Sequence, residues 1–503
     1  LRFRRVALAL IALLFVAHLA RSVRFFDRWD EIEFIQGAQK LATGHMVDSD
    51  KRLPLFSFAI AAVRAVVRPV LPDWSVAARL ATQLLGAGTL LALAGLASEA
   101  FGAAAGLVAA LLLATCPLAL ASAAIVHPVV PLALLVTLAA WCLARHLRTG
   151  SIGALALANV FVALAGFTRP EGFAFAPLAF WLDARAYMRR GDARPRPGAA
   201  AGLAAAAATI LLSAWWFATH AWYARAVVTT LAREGPLAHA TSYLTAYLRA
   251  LPSLLSYPAA LLAAAGLVRL VAAARARRLD ARARAFALVG GWLVVALLAG
   301  LASYPYFTTI YLLTLLPVAL ALAAHGLDGL ARLGRPYDAP PRRAVVAAGL
   351  AVAVAVNLPL GEYEITQYGR VLADYHDCCL WVRDRRQAEA PAPSGFVVAM
   401  DPVHLRWWTA VPSLSYRREF AVGARHVVLC DLFAQNFGFD YDEELRWLAA
   451  RGGNVVYSSE RSLRPTLGMT LCQPYRDVFT PRILDVRWTP QRFRSAVVEL
   501  PTR

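Results

Sequence analysis

The chain has 503 residues, 59% of them hydrophobic and only 17% charged, with a formal net charge of +19. Soluble domains run nearer to about 45–50% apolar and about 25% charged, so a string of soluble domains, a disordered chain, a collagen and a small disulfide scaffold are all excluded. The charge is unevenly placed: residues 362–503 sum to +1 and residues 1–361 to +18, so the basic excess belongs to the apolar part and calls for no nucleic acid.

Crossing the hydrocarbon core takes about 20 apolar residues. Eleven stretches are predicted as spans, near 5–21, 78–98, 103–122, 128–146, 151–168, 172–188, 199–219, 253–273, 286–303, 309–325 and 343–361. The first follows Arg2, Arg4 and Arg5 and resembles a signal peptide, but Leu19-Ala20-Arg21-Ser22 is a poor cleavage site, so an uncleaved helix is expected. The stretches at 151–168 and 172–188 run short and flank Thr168-Arg169-Pro170-Glu171-Gly172, which reads as a tight turn at one membrane face.

Basic residues in short loops are retained on the cytoplasmic side. With the N-terminus inside, the cytoplasmic segments carry +14 and the outer ones +4, and Arg189-Arg190, Arg275 to Arg278 and Arg342-Arg343 share one side. The expected fold is therefore a polytopic α-helical membrane protein of about eleven transmembrane helices. Its N-terminus is cytoplasmic, its membrane domain covers 1–361, and an extracytoplasmic α/β domain covers 362–503.

Three regions fall outside the bilayer on the far side. In the loop 22–77, Ile32, Ile35 and Ala38 recur at helical spacing, and Pro54 to Val70 forms a second apolar stretch with Arg64 and Arg68; both predict interfacial helices. Residues 220–252 are rich in Tyr and Trp, as expected near headgroups. In 362–503, strand-like runs at Phe396–Met400, His426–Cys430 and Asn454–Ser458 alternate with helical runs at Asp374–Ala388 and Asp442–Arg451. Cys378, Cys379, Cys430 and Cys472 lie in this last region, where one or two disulfides are open.

Three polar segments carry candidate chemistry. Arg28-Trp29-Asp30-Glu31-Ile32-Glu33 follows the first span by fewer than ten residues. A carboxylate held there suits a general base toward a hydroxyl or amine, with its pKa raised by burial against lipid and Trp29; the same acids would also serve a helix N-terminus. Asp50-Lys51-Arg52-Leu53-Pro54-Leu55 places two cations beside an apolar stretch, suited to a lipid phosphate or to ordinary snorkelling. Arg169 and Glu171 sit at a membrane turn, where such residues are paired or functional. His127 is read as a cap or a metal ligand, the cap being favoured. Acids and histidines leave a divalent metal open, without a diagnostically spaced ligand set, and no other cofactor is implied.

In order, these segments resemble the type C membrane glycosyltransferases, in particular the bacterial relatives of protein O-mannosyltransferases and of the lipid A aminoarabinose transferase. The resemblance rests on Asp30-Glu31 opening an outer loop that continues Phe34-Ile35-Gln36-Gly37-Ala38-Gln39-Lys40-Leu41-Ala42-Thr43-Gly44, on Lys51-Arg52-Leu53-Pro54-Leu55, on Arg169-Pro170-Glu171-Gly172, and on Thr309-Ile310-Tyr311-Leu312-Leu313. It covers about residues 5–360. It implies an inverting transfer of a sugar from a polyprenyl-phosphate donor to an envelope glycan, lipid or protein on the outer face of a bacterial inner membrane. Asp30 would then be the base and Glu31 its support. Lys51 and Arg52 would hold the lipid phosphate, and Arg169 and Glu171 would line or brace the cavity. The family's Lys-Pro-Pro pattern is broken here by Arg52-Leu53, its late Arg is replaced by Ile310, and His127 stands where an acid is often found. The competing class is a transporter or flippase for a lipid-linked or polar solute. It would show charges inside spans and broken helices at matching places in two halves, whereas most charges here sit at span ends.

Overall fold

The computed structural model describes residues 2–22, 25, 27, 30–45, 54–188, 235–302, 309–334, 341–370, 372–389, 395–437, 439–463 and 491–501, with six scattered positions between 204 and 232. They fall into two compact units: Leu1–Arg24 with Glu33–Glu362, and Phe25–Ile32 with Tyr363–Arg503.

The first unit is helical. Among the described residues, five helices are long and apolar enough to cross a membrane: Trp74–Phe101, Val129–Thr149, Tyr257–Arg275, Ala281–Ala302 and Arg343–Arg370. A sixth crossing is made if Ala103–Thr115 and Pro117–Ala123 count as one span bent by 61°. The sequence predicts a span at 103–122 with Pro117 as a kink or helix end, and the chain does break there, because a residue preceding proline is driven out of the helical region, and Cys116 is extended at φ −63°, ψ 127°. Of the remaining predicted spans, Arg2–Ser22 has 21 residues, and three form shorter helices, Ile152–Gly166, Ala176–Met188 and Leu316–Ala331. The last two are each preceded by a 3-10 segment, Pro170–Phe175 and Thr309–Thr314. The span at 199–219 lies mostly outside the described residues.

Both helices expected in the loop 22–77 form, as Asp30–Ala42 and Leu55–Val67. They pack through Phe34 and Phe56, whose rings meet edge to face at 5.2 Å, and the Ser57 hydroxyl donates to the Phe34 carbonyl at 3.2 Å. Asp73 starts the long helix Trp74–Phe101, its carboxylate accepting from the Ser75 and Val76 N–H groups at 2.6 and 3.0 Å. Residues 236–255, within the predicted outer stretch 220–252 and just beyond it, form another helix, Pro236–Leu255.

The helices Tyr257–Arg275 and Leu316–Ala331 touch backbone to backbone. A side chain on Gly266 would run into the Leu322 carbonyl, and one on Gly326 into that of Leu262. Small residues permit this approach where lipid gives no hydrophobic drive. Gly326→Val is expected to destabilise the detergent-solubilised protein by about 1–3 kcal/mol, read as a lowered thermal midpoint. Gly291→Ala, with nothing within 4 Å of the new methyl, should leave that midpoint unchanged or raised.

The second unit is built on a five-stranded sheet in the order β2-β1-β3-β5-β4: β1 is Val397–Ala399, β2 Ser413–Ser415, β3 His426–Cys430, β4 Asn454–Leu463 and β5 Gln491–Glu499. β1 runs parallel to β2 and β3, while β5 is antiparallel to β3 and β4, with His426 opposite Glu499 and Cys430 opposite Ser495. The helix Ala373–Ala388 packs on β3, β4 and β5. Its buried Asp374 accepts from the Ser495 hydroxyl at 2.6 Å, and burial raises its carboxyl pKa. Cys378, Cys379 and Cys430 are free thiols in the core, so the disulfides left open above do not form among the described cysteines; Cys472 lies outside the described residues.

His426 is wholly buried in β3. Burial, then the Arg425 and Arg386 guanidiniums, hold its pKa below the ordinary value against the pull of Glu499 and Glu389. The unfolded chain therefore takes up a proton that the folded unit refuses. Stability from this source is complete above about pH 6.5 and falls as pH drops toward the lowered folded value, by up to about 1.4 kcal/mol per pH unit. The protection factors of the β3 amides, corrected for slower intrinsic exchange at lower pH, should fall on acidification across that window, and His426→Gln should remove His426's share of the fall.

Candidate functional site

In the first unit the chemistry gathers where helices are interrupted. The helix Ile152–Gly166 ends at Gly166, and the chain turns back through Arg169 into the 3-10 segment Pro170–Phe175. Two glycines make the turn possible. A side chain on Gly172 would strike the backbone of Ala165, and one on Gly166 would strike the ring of Phe173. The glycine of the Arg-Pro-Glu-Gly sequence is thus a steric requirement of the turn.

That turn presents Arg169 and Glu171 to each other. Arg169 donates from Nε to Glu171 Oε2 at 3.2 Å and from NH2 to Oε1 at 2.9 Å, a two-pronged pair in which Arg169 is only 8% exposed. The guanidinium carbon also lies 4.3 Å from the centre of the Tyr311 ring, a cation–π contact. Tyr311 belongs to the second 3-10 segment, Thr309–Thr314, and its ring lies 6.5 Å from that of His127. His127 Nδ1 accepts from the Val129 N–H at 3.3 Å, so this histidine caps the helix Val129–Thr149, the favoured one of its two expected roles.

The structure thus joins two of the predicted motifs, Arg169-Pro170-Glu171-Gly172 and the one containing Tyr311. The sequence places Tyr311 in the late motif without a partner, and its contact with Arg169 is what the structure adds. Arg79 and Gln83 were missed as a pair. Arg79 is 1% exposed and donates to the Ala124 carbonyl at 3.1 Å, and Gln83 donates to the Ala123 carbonyl at 2.6 Å. Together they satisfy carbonyls at the end of the short helix Pro117–Ala123. The signal was an Arg and a Gln four apart in an apolar span. Beside them lies an almost wholly apolar cavity of about 80 Å³, lined by Phe15, Gly86, Leu120, Val130 and Leu313 among others.

Of the other predicted residues, two belong to the second unit and two fall outside the described residues. Asp30 is placed by its backbone as the first residue of the helix Asp30–Ala42, and Glu31 is 4% exposed; both belong to the second unit. Lys51 and Arg52 lie outside the described residues. Among the described residues no group of three His, Cys, Asp or Glu side chains is arranged to hold a metal.

A buried two-pronged pair is sensitive to losing one member only. Glu171→Gln should lower stability by about 3–5 kcal/mol, because it strands a buried guanidinium, whereas a double Arg169→Met, Glu171→Leu replacement should cost clearly less. Thermal unfolding of the purified double variant and of its component singles, Arg169→Met and Glu171→Leu, decides it: a double loss equal to the sum of the two single losses would mean that the two side chains are not energetically coupled.

Residues 51–217 match the family model of dolichyl-phosphate-mannose-protein mannosyltransferases. No curated protein sequence matches the chain. Among solved structures, the fold is similar to that of ArnT from Cupriavidus metallidurans bound to undecaprenyl phosphate, with a TM-score of 0.58 at 14% identity over 90% of this chain and 96% of that one. The apo form of that protein gives 0.54 at 14% identity, over 92% and 93%. The apo oligosaccharyltransferase of Archaeoglobus fulgidus gives 0.51 at 12% identity, over 83% of this chain and 69% of that one. At such identities the likeness is one of fold.

Proposed function

We propose that this chain, a polytopic membrane protein with the fold of the type C membrane glycosyltransferases, is an inverting glycosyltransferase. It moves a sugar from a polyprenyl-phosphate donor to an envelope lipid, glycan or protein on the outer face of a bacterial inner membrane. The observation that carries the reading is the fold match along nearly the whole chain to ArnT, a protein seen with undecaprenyl phosphate bound. The mannosyltransferase family match over residues 51–217 supports it from sequence, and so does the positive charge of the short loops assigned to the cytoplasm. The N-terminus is then cytoplasmic and residues 362–503 are extracytoplasmic.

In this reading Asp30 takes the proton from the acceptor hydroxyl or amine as that atom attacks the anomeric carbon. The bond from that carbon to the phosphate oxygen breaks on the opposite face, and the polyprenyl phosphate leaves with the electron pair. Glu31 supports the base. Lys51 and Arg52 stabilise the charge that grows on the leaving phosphate. Arg169 and Glu171 brace the cavity wall rather than reacting, since each already satisfies the other. The isoprenoid stays in the bilayer, which is why this transfer is carried out by a membrane protein at all.

Mass spectrometry of envelope glycans and lipids, in cells with and without the protein, identifies the product. Asp30→Asn should lower its formation by about 10²–10⁴-fold with the protein level unchanged. Full product in that variant would overturn the assignment of the base.

A further inference from the structure

The segment Phe25–Ile32, which carries Asp30 and Glu31, is compact with Tyr363–Arg503 although more than 300 residues separate them in sequence. The contacts are specific. The Asp27 carbonyl accepts from Trp408 Nε1 at 2.8 Å, and Asp27 Oδ2 accepts from Trp407 Nε1 at 3.1 Å. Asp27 is only 5% exposed. Phe25 lies against Gly369, where a side chain on the glycine would come within 2.8 Å of the ring.

The two indoles are themselves held. They sit side by side on the helix Pro402–Thr409, whose N-cap, Asp401, accepts from the Val403 and His404 N–H groups at 2.9 and 3.1 Å. Asp401 Oδ2 lies 3.0 Å from His404 Nδ1. The Tyr375 hydroxyl donates to the Asp401 carbonyl at 2.8 Å and accepts from its N–H at 3.1 Å. The Trp408 ring meets His376 and His404 edge to face, each at 4.9 Å, and Tyr375 at 6.1 Å. An indole N–H fixed in this way can set the position of a backbone carbonyl, because its own rotamer is locked by packing.

We propose that the C-terminal α/β unit is a positioning clamp for the loop that bears the base, with Trp407, Trp408 and Asp27 as its jaws. The clamp fixes the backbone three residues before Asp30. Trp407 and Trp408 are positioning residues that act through Asp27 and take no part in the reaction. The proposal rests on the reading of Asp30 as the base.

The test uses the full-length protein and the variants Trp407→Phe and Trp408→Phe, which keep a ring and lose the N–H, with Trp447→Phe on the helix Tyr441–Ala449 as control. Amide exchange of residues 25–33 should rise about tenfold or more in Trp408→Phe while β3 exchange stays unchanged, and the envelope product should fall. Asp27→Ala added to Trp407→Phe should lower product no further than either change alone. Unchanged exchange in 25–33 would overturn the clamp. So would raised exchange with full product in a background where Asp30→Asn abolishes it. Failure of the catalytic reading shows separately, as product that survives Asp30→Asn.

Discussion

In the apolar unit no water is at hand to take up a hydrogen bond, so every backbone group and charge freed from a regular helix must be satisfied on the spot. The interruptions show how this is met. At the break around Cys116, the thiol lies 3.3 Å from the Leu254 carbonyl and the Thr115 hydroxyl 3.3 Å from the Asn357 amide. Past the short helix that follows, Arg79 and Gln83 reach across to the Ala124 and Ala123 carbonyls. At the turn after Gly166, Arg169 and Glu171 neutralise each other. Each of these breaks gathers polar side chains, so the breaks are places where polar chemistry can be housed.

That rule bears on what Arg169 and Glu171 can do. A lone arginine at such a turn would be a natural phosphate ligand. One already held in two prongs by a carboxylate, with an aromatic ring over its face, has much of its donor capacity and its charge committed. Its contacts tie the two 3-10 segments together, since Arg169 immediately precedes Pro170–Phe175 and Tyr311 lies on Thr309–Thr314. In the proposed reading, phosphate binding then falls chiefly to cations of the loop 22–77.

Much of this was legible in the sequence, and the failures have physical causes. Apolar length located the long spans, and short β-rich runs located β1, β3 and β4. β2 is three residues long, Ser413–Ser415, too short to carry a pattern. β5 opens with Arg492 and Arg494, whose alternation with Phe493 and Ser495 marks a strand with one wet face but does not register as an apolar run. The kink at Pro117 was legible from the proline itself, although apolar composition does not change across it. The Arg169–Glu171 pair was weighed correctly as an alternative, since two residues apart at a turn is close enough to meet. Contacts such as Arg169 with Tyr311 depend on which helices neighbour each other, and no local signal encodes that.

The most distant contact of all concerns the loop of the Asp-Glu motif. Read locally, Asp30 looks like the start of an amphipathic helix that fixes its own geometry. A helix start is a poor fixture, because its first turn lacks intrahelical partners and frays. Two indole N–H groups on a helix that is itself capped and tied to Tyr375 make a far stiffer reference. A base must be held to a fraction of an ångström to act as one, and it is cheaper in entropy to borrow that rigidity from a folded α/β unit than to order an exposed loop alone. An α/β unit of near-neutral charge appended to a strongly basic membrane domain then has a physical reason to be there, independent of any partner it binds.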